Sequence, residues 1–314
     1  MKLYDIFKNL NPLTNKVKDC YSARVIEGTL HRIGVNDQNH LTLLIKTTDA
    51  AQLEPRSFTN LDIRHSVECL IEKDTGFKEE ERGIFSIIIF KNTDNELVQR
   101  FLELISLILD DLKSDITTND IERFLKEIIE IFKPQERISN TTLIGLIGEL
   151  ITIYMADDKD KIIDAWHTKN SENFDFYSSG TALEIKTTNK NTRNHRFKIN
   201  QLTSSNIKIF VGSVLIKEKI EGSNLEMIYE TIRKGISNRE NEKKLMTNIF
   251  KIITTNSVNE FKIDLDYSLN SYAIYDSNIV PKITDAPLGV TEVKFNSDLS
   301  SIEKSKITVN NIFN

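Results

Sequence analysis

A chain of 314 residues exceeds the usual size of one compact domain, which predicts one large or two modest domains with a sizeable buried core. Hydrophobic residues make up 39% and charged residues 28%, a globular balance that excludes wholesale disorder. The formal net charge of -5 excludes coating nucleic acid by bulk charge, so any such contact has to be local.

From residue 1 to about residue 91, short apolar runs alternate with polar turns. "LHRIGV", "NDQN" and "HLTLLIKTT" predict a hairpin, and "GIFSIIIFKN" a further strand, in a β-rich segment. "DNELVQRFLELISLILDDLK" carries Leu97, Phe101, Leu104, Ile105 and Ile108 at helical spacing with Asp94 or Asn95 as cap. "NDIERFLKEIIEIFK" predicts a second helix that stops before Pro134. "PQERISN" is the expected boundary between an N-terminal domain, 1–135, and a second domain, 136–314, whose core lies near 139–237.

"TTLIGLIGELITIYM" predicts a helix with Ser139 or Asn140 as cap. "NFDFYSS" and "GTALEIKTTN" follow as strands around a tight turn, "NIKIFVGSVLIKE" as a buried strand, and "NLEMIYETIRKGI" as a helix. The tail from about residue 244 adds a helix and mixed strands. The expected class is α/β, or α+β overall. Cys20 and Cys69 stand in no C-x-x-C spacing, so neither a disulfide framework nor a thiolate zinc site is indicated. With no secretion pattern at the start and no apolar stretch of ~18 residues, a cytoplasmic protein without membrane contact is expected.

Chemistry concentrates in one hairpin. A two-residue turn at Ser179-Gly180 sets Ser178 against Thr181 and carries Asp175 opposite Glu184, with Cβ atoms roughly 5 Å apart. Two carboxylates that close repel unless a cation lies between them. Lys186 falls on the same face, while Phe174, Phe176, Leu183 and Ile185 point to the other, toward a core. This set suits a hard cation such as Mg²⁺, with Mn²⁺ as substitute. Glu149, beside Gly148, completes the metal site if its helix flank meets the Asp175/Glu184 face. "TLLIKTTD" at Thr42–Asp49 ends in the same Ile-Lys-Thr-Thr, but Leu44 replaces the glutamate, so Lys46 reads as a solvated strand residue. Past the hairpin, "KTTNKNTRNHRFKIN" holds Lys190, Arg193, Arg196 and Lys198 and no acid, a phosphate-binding composition. Trp166 and His167 read as a packing anchor or a groove edge and stay outside the catalytic set.

With Glu149, Asp175, Glu184 and Lys186 assembled, the segment from about residue 141 to residue 235 resembles the PD-(D/E)XK nuclease superfamily. It is similar, more narrowly, to the prokaryotic proteins called PD-(D/E)XK motif proteins, associated with restriction and phage-defence gene clusters. "GLIGEL", "FDF", "EIKTT", the Arg193-x-His195-x-Phe197 run ending in Gln201-Leu202, and "VGS" before "EGSNLEMIYETI" carry that likeness. Phe174 stands where the name has proline, and Ser205 replaces the tyrosine of a Gln-x-x-x-Tyr signature.

The resemblance implies a restriction-endonuclease-like core, a mixed sheet flanked by helices, beside the β-rich N-terminal domain. It also implies a Mg²⁺-dependent endodeoxyribonuclease in restriction or phage defence. Asp175, Glu184 and Glu149 would hold metal. Lys186 would orient or help deprotonate water. Lys190, Arg193, His195, Arg196 and Gln201 are assigned to substrate. DNA is the expected partner, with room for other defence proteins and for a homo-oligomer. The competing readings are a non-catalytic DNA-binding or assembly subunit that keeps the fold, and a nuclease acting on RNA.

Overall fold

The N-terminal apolar runs fold as strands because each has one face that must leave water. The computed structural model describes residues 3–14, 17–49, 53–73, 80–109, 116–132, 140–168, 174–204, 206–253, 261–290 and 292–313. They fall into two units, one of residues 1–136 with 246–255, the other of residues 137–245 with 256–314. The expected boundary segment, 134–140, lies outside the described residues except for Asn140.

In the first unit, helix α1 (Leu3–Lys8) precedes β1 (Cys20–Val25), β2 (Arg32–Val35), β3 (Leu41–Ile45), β4 (Arg56–Ser57), β5 (Leu61–Lys73) and β6 (Glu80–Phe90). Their order is β1-β2-β3-β6-β5-β4, and β1 also pairs with β5, so five strands close on themselves. Tyr21, Ala23, Leu44, Cys69, Ile71, Phe85, Ile87 and Ile89 fill the inside, which makes it a packed core and not a channel. Leu44 is fully buried in β3, which ends at Ile45. Lys46, expected as a solvated strand residue, lies just past the strand and half-buried, its Nζ donating to the Ile84 carbonyl at 3.3 Å. Both cysteines are buried and free, and burial raises the Cys69 thiol to about 12, which leaves it inert. Helix α2 (Asn95–Leu109) is capped by Asp94, whose Oδ1 accepts from the amides of Glu96 at 2.9 Å and Leu97 at 3.1 Å. Helix α3 (Thr118–Phe132) follows.

The second unit opens with α4 (Asn140–Met155) and α5 (Lys159–Ala165). Then come β7 (Phe176–Ser178), β8 (Thr181–Thr188), β9 (Asn194–Lys198), β10 (Lys208–Leu215) and β11 (Glu218–Ser223). Helices α6 (Leu225–Arg233) and α8 (Leu265–Ser271), and strands β12 (Ala273–Asp276) and β13 (Lys294–Asp298), complete it, while α7 (Arg239–Ile253) begins in this unit and its residues from Met246 on belong to the first. The central sheet runs β12-β10-β8-β7, with β10 parallel to β8 and the other pairs antiparallel. This mixed sheet with helices is the α/β arrangement the sequence leads one to expect. The turn between β7 and β8 has Ser179 at φ 48° and Gly180 at φ 80°, the two left-handed residues that match strand twist in a two-residue hairpin. Ser178 faces Thr181, as the dipeptide predicts.

One face of this sheet packs on α4. A Cβ on Gly148 would stand 1.8 Å from Thr187 Oγ1 and 3.2 Å from Ile185 Cγ2, so only glycine allows the helix this close. The other face is covered by β9, which pairs with β13 as a two-stranded ribbon. Phe197, Leu202, Val211, Ala273, Tyr275 and Leu299 form the core there. Among the described residues no helix is long and apolar enough to cross a membrane.

Gly148→Val forces α4 off β8 and is expected to cost about 1–3 kcal/mol of stability by overpacking. Gly145→Ala, at a position with open space around it, is expected to gain up to about 1 kcal/mol in helix propensity. Urea unfolding of the two variants checks the opposite signs.

Candidate functional site

Strand β7 is three residues long, so among the described residues β8 beyond Leu183 has no strand on that side. Asp175 stands at a bend just before β7, and its Oδ2 accepts from the Ile185 amide at 2.7 Å, in place of the missing ladder bond. The expected simple cross-strand pair is thereby modified: Asp175 meets β8 through its side chain. Phe174 also departs from expectation. It packs with Ala182 and Ile209, whereas Phe176 lies across from Leu183, because the bend at Asp175 breaks the alternation.

Glu184, 3% exposed, points to the ribbon side of β8. Its Oε1 accepts from Lys186 Nζ at 2.6 Å and from Gln201 Nε2 at 2.5 Å. Gln201 Oε1 accepts in turn from Lys186 Nζ at 3.2 Å and from the Lys198 amide at 2.9 Å. The ammonium of Lys186 also lies 5.2 Å from the centre of the Phe197 ring. Gln201, assigned from sequence to substrate, is thus bonded to both Glu184 and Lys186.

Helix α4 docks on the face of Ile185 and Thr187, opposite the one expected, since side chains alternate along β8. Glu149 still reaches the acids, because it approaches around the open edge of β8. It raises the proton affinity of both Asp175 and Glu184. Its Oε2 accepts from Trp166 Nε1 at 2.7 Å and lies 2.8 Å from His167 Nε2. The His167 amide donates to the Asp175 carbonyl at 2.8 Å. These two residues were passed over in sequence. A lone Trp-His dipeptide nine residues before the aspartate was the only available signal.

The basic run divides by strand alternation. Lys190, Arg196 and Lys198 are exposed, and Lys294 pairs opposite Lys198 on β13. Arg193 and His195, expected at the substrate, point inward instead. Arg193 donates through NH1 to the carbonyl of Ser213 at 2.8 Å and its Oγ at 2.7 Å, and through NH2 to the Ser271 carbonyl. His195 Nε2 lies 2.8 Å from the same Ser213 Oγ. Burial, then the charges of Lys186 and Arg193, push this imidazole down to about 4. Both residues are framework for β10 because β13 pairs with β9 and closes over that face.

The family model described as "Putative PD-(D/E)XK family member, (DUF4420)" matches residues 4–300. The chain belongs to this family. No curated protein and no solved structure matches it. Its membership makes it nuclease-like, and PD-(D/E)XK nucleases generally use divalent metals.

The acids of this PD-(D/E)XK chain fit such a cation. Burial, and then repulsion from Glu184 and Glu149, holds Asp175 well above the usual carboxylate range. Burial also raises Glu184, against the pull of Lys186. A divalent charge among them would offset both effects. Each acid commits one oxygen to an internal partner, while Asp175 Oδ1, Glu184 Oε2 and Glu149 Oε1 carry no hydrogen bond among the described residues. The three do not form a ready cage: among the described residues no group of three or more His, Cys, Asp or Glu has metal-holding geometry. A small hard cation that takes one or two carboxylates plus water requires none.

His195 supplies a pH test. Its folded-state pKa lies below the unfolded value of about 6.5, so the unfolded chain binds the extra proton and stability falls as pH drops from about 6.5 to 4. His195→Gln keeps a polar group near Ser213 and is expected to flatten the acid side of the urea-stability profile in that window.

Proposed function

We propose that this chain is a metal-dependent DNA endonuclease that hydrolyses phosphodiester bonds. The observation that carries the reading is the set of three carboxylates at the open edge of β8, each oriented by an internal donor and each with one uncommitted oxygen, beside Lys186. Asp175, Glu184 and Glu149 hold the divalent cation, Mg²⁺ with Mn²⁺ as substitute. When bound, that ion supplies Lewis-acid stabilisation of phosphoryl charge and favours attack by water.

Lys186 is restrained by Glu184 Oε1 and Gln201 Oε1, so its ammonium keeps one position while charge develops on the phosphate. It orients the attacking water and stabilises that charge. Gln201 acts through both partners as a positioning residue. Exposed Lys190 and Arg196 contact the phosphate backbone, joined by Lys198 and Lys294 on the ribbon, which share Glu292 at 3.9 and 2.9 Å and exchange it for phosphate. The resemblance read from the sequence motifs suggests a role in restriction or phage defence, and the lack of a secretion pattern in the sequence suggests the cytoplasm as its place.

Supercoiled plasmid incubated with Mg²⁺ or Mn²⁺ is expected to be cut by the wild type. Lys186→Ala and Asp175→Asn should each slow cleavage by roughly 10²–10³-fold, the scale for removal of one transition-state partner. Equal cleavage by wild type and Lys186→Ala would sink the catalytic assignment. Salt-sensitive DNA binding without cutting would favour the non-catalytic subunit, and preference for RNA in the same assay would favour an RNA nuclease.

A further inference from the structure

We propose that Trp166 and His167 form a positioning clamp that selects which oxygen Glu149 turns toward the other acids and sets the spacing between Glu149 and Asp175. The inference rests on the metal-site reading above and assigns residues that the PD-(D/E)XK pattern does not contain.

Both side chains address one atom. Trp166 Nε1 donates to Glu149 Oε2 at 2.7 Å, and His167 Nε2 lies 2.8 Å from that same oxygen. Oε1 is therefore the oxygen left for a cation. The backbone of the pair holds the second acid. Trp166 bridges to Phe176 at the start of β7, and the His167 amide donates to the Asp175 carbonyl at 2.8 Å. Two residues thus connect a helix glutamate to an aspartate 26 positions later in the chain.

The local geometry supports a function beyond filling space. Trp166 is fully buried, yet its one polar atom is spent on a carboxylate. His167 sits at φ 44°, a left-handed conformation unfavourable for a residue with a Cβ, which persists only where surrounding contacts hold it. Its side chain is 44% exposed, so it is the part of the clamp that solvent reaches. Any buried indole N–H needs an acceptor; what marks this pair is that the acceptor is a site carboxylate and that the neighbouring His167 reaches the same oxygen.

Outer partners of metal-binding carboxylates change metal affinity by about 10–100-fold when lost. Trp166→Phe keeps the ring volume and removes the Nε1 donor. His167→Ala removes the second contact, and His167→Gln restores a side-chain N–H. Mn²⁺ affinity of the full chain, read by calorimetry or by the EPR signal of free ion, is expected to weaken about tenfold or more in Trp166→Phe and His167→Ala and to recover in His167→Gln. The Mn²⁺ concentration for half-maximal cleavage should rise about tenfold in the weakened variants, with the rate recovering toward wild type at saturating Mn²⁺, a pattern that loss of folded protein does not produce. If the buried Trp variant fails to fold, the more exposed His167 pair carries the test. Wild-type Mn²⁺ affinity in Trp166→Phe and His167→Ala, or a His167→Gln as weak as His167→Ala, overturns the clamp and leaves the functional reading standing. A wild-type chain that binds no Mn²⁺ overturns both.

Discussion

The amide of Ile185 has no strand to donate to, and the carboxylate of Asp175 takes it. Much of the site follows from that one bond. A buried amide needs an acceptor, and β7 begins only at Phe176, too late in the chain to supply a carbonyl opposite Ile185. Because the substitute is an acid, the edge of β8 acquires a negative charge held at a defined place. Beside this short strand Glu149 from α4 and Glu184 from β8 come within electrostatic reach of Asp175 and of each other.

Gathering three carboxylates in a poorly hydrated place is unfavourable, and the surroundings are built to tolerate it. Each acid is steadied by a donor from a different element: Asp175 by the β8 backbone, Glu184 by Lys186 and Gln201, Glu149 by the Trp166 indole. No donor satisfies both oxygens of any one acid. Repulsion is thus moderated without being cancelled, the condition under which a site favours a cation and releases protons to take it. Gly148 contributes by letting α4 approach closely enough for Glu149 to reach the group.

The hairpin was readable in sequence because its information is local. Ser179-Gly180 demands a tight turn, and period-two alternation of Phe176, Leu183 and Ile185 sets the register. Helices with an Asp or Asn cap, such as α2 and α6, were equally legible. The bend at Asp175 was not, since "NFDFYSS" alternates straight through it and carries no glycine or proline. Gly148 announced a close approach but not the face of the sheet it approaches. Arg193 and His195 looked like exposed cations because the strand that turns them inward, β13, lies far along the chain. Strand β5 was hidden for another reason: "LDIRHSVECLIEK" has charge on its outer positions that masks the buried Leu61, Ile63, Cys69 and Ile71.

The pairing of β9 with β13 has a consequence for biosynthesis. Phe197 lies opposite Phe295, and the ring that backs the Lys186 ammonium cannot be seated until residues 294–298 have left the ribosome. Chain growth delivers the carboxylates of α4 and β8 well before the ribbon that fixes the lysine beside them, and such distant pairings form late. Sequence separation therefore acts as a timer. The cluster of acids exists first as an incomplete site, and the cationic partner settles only after β13 has emerged.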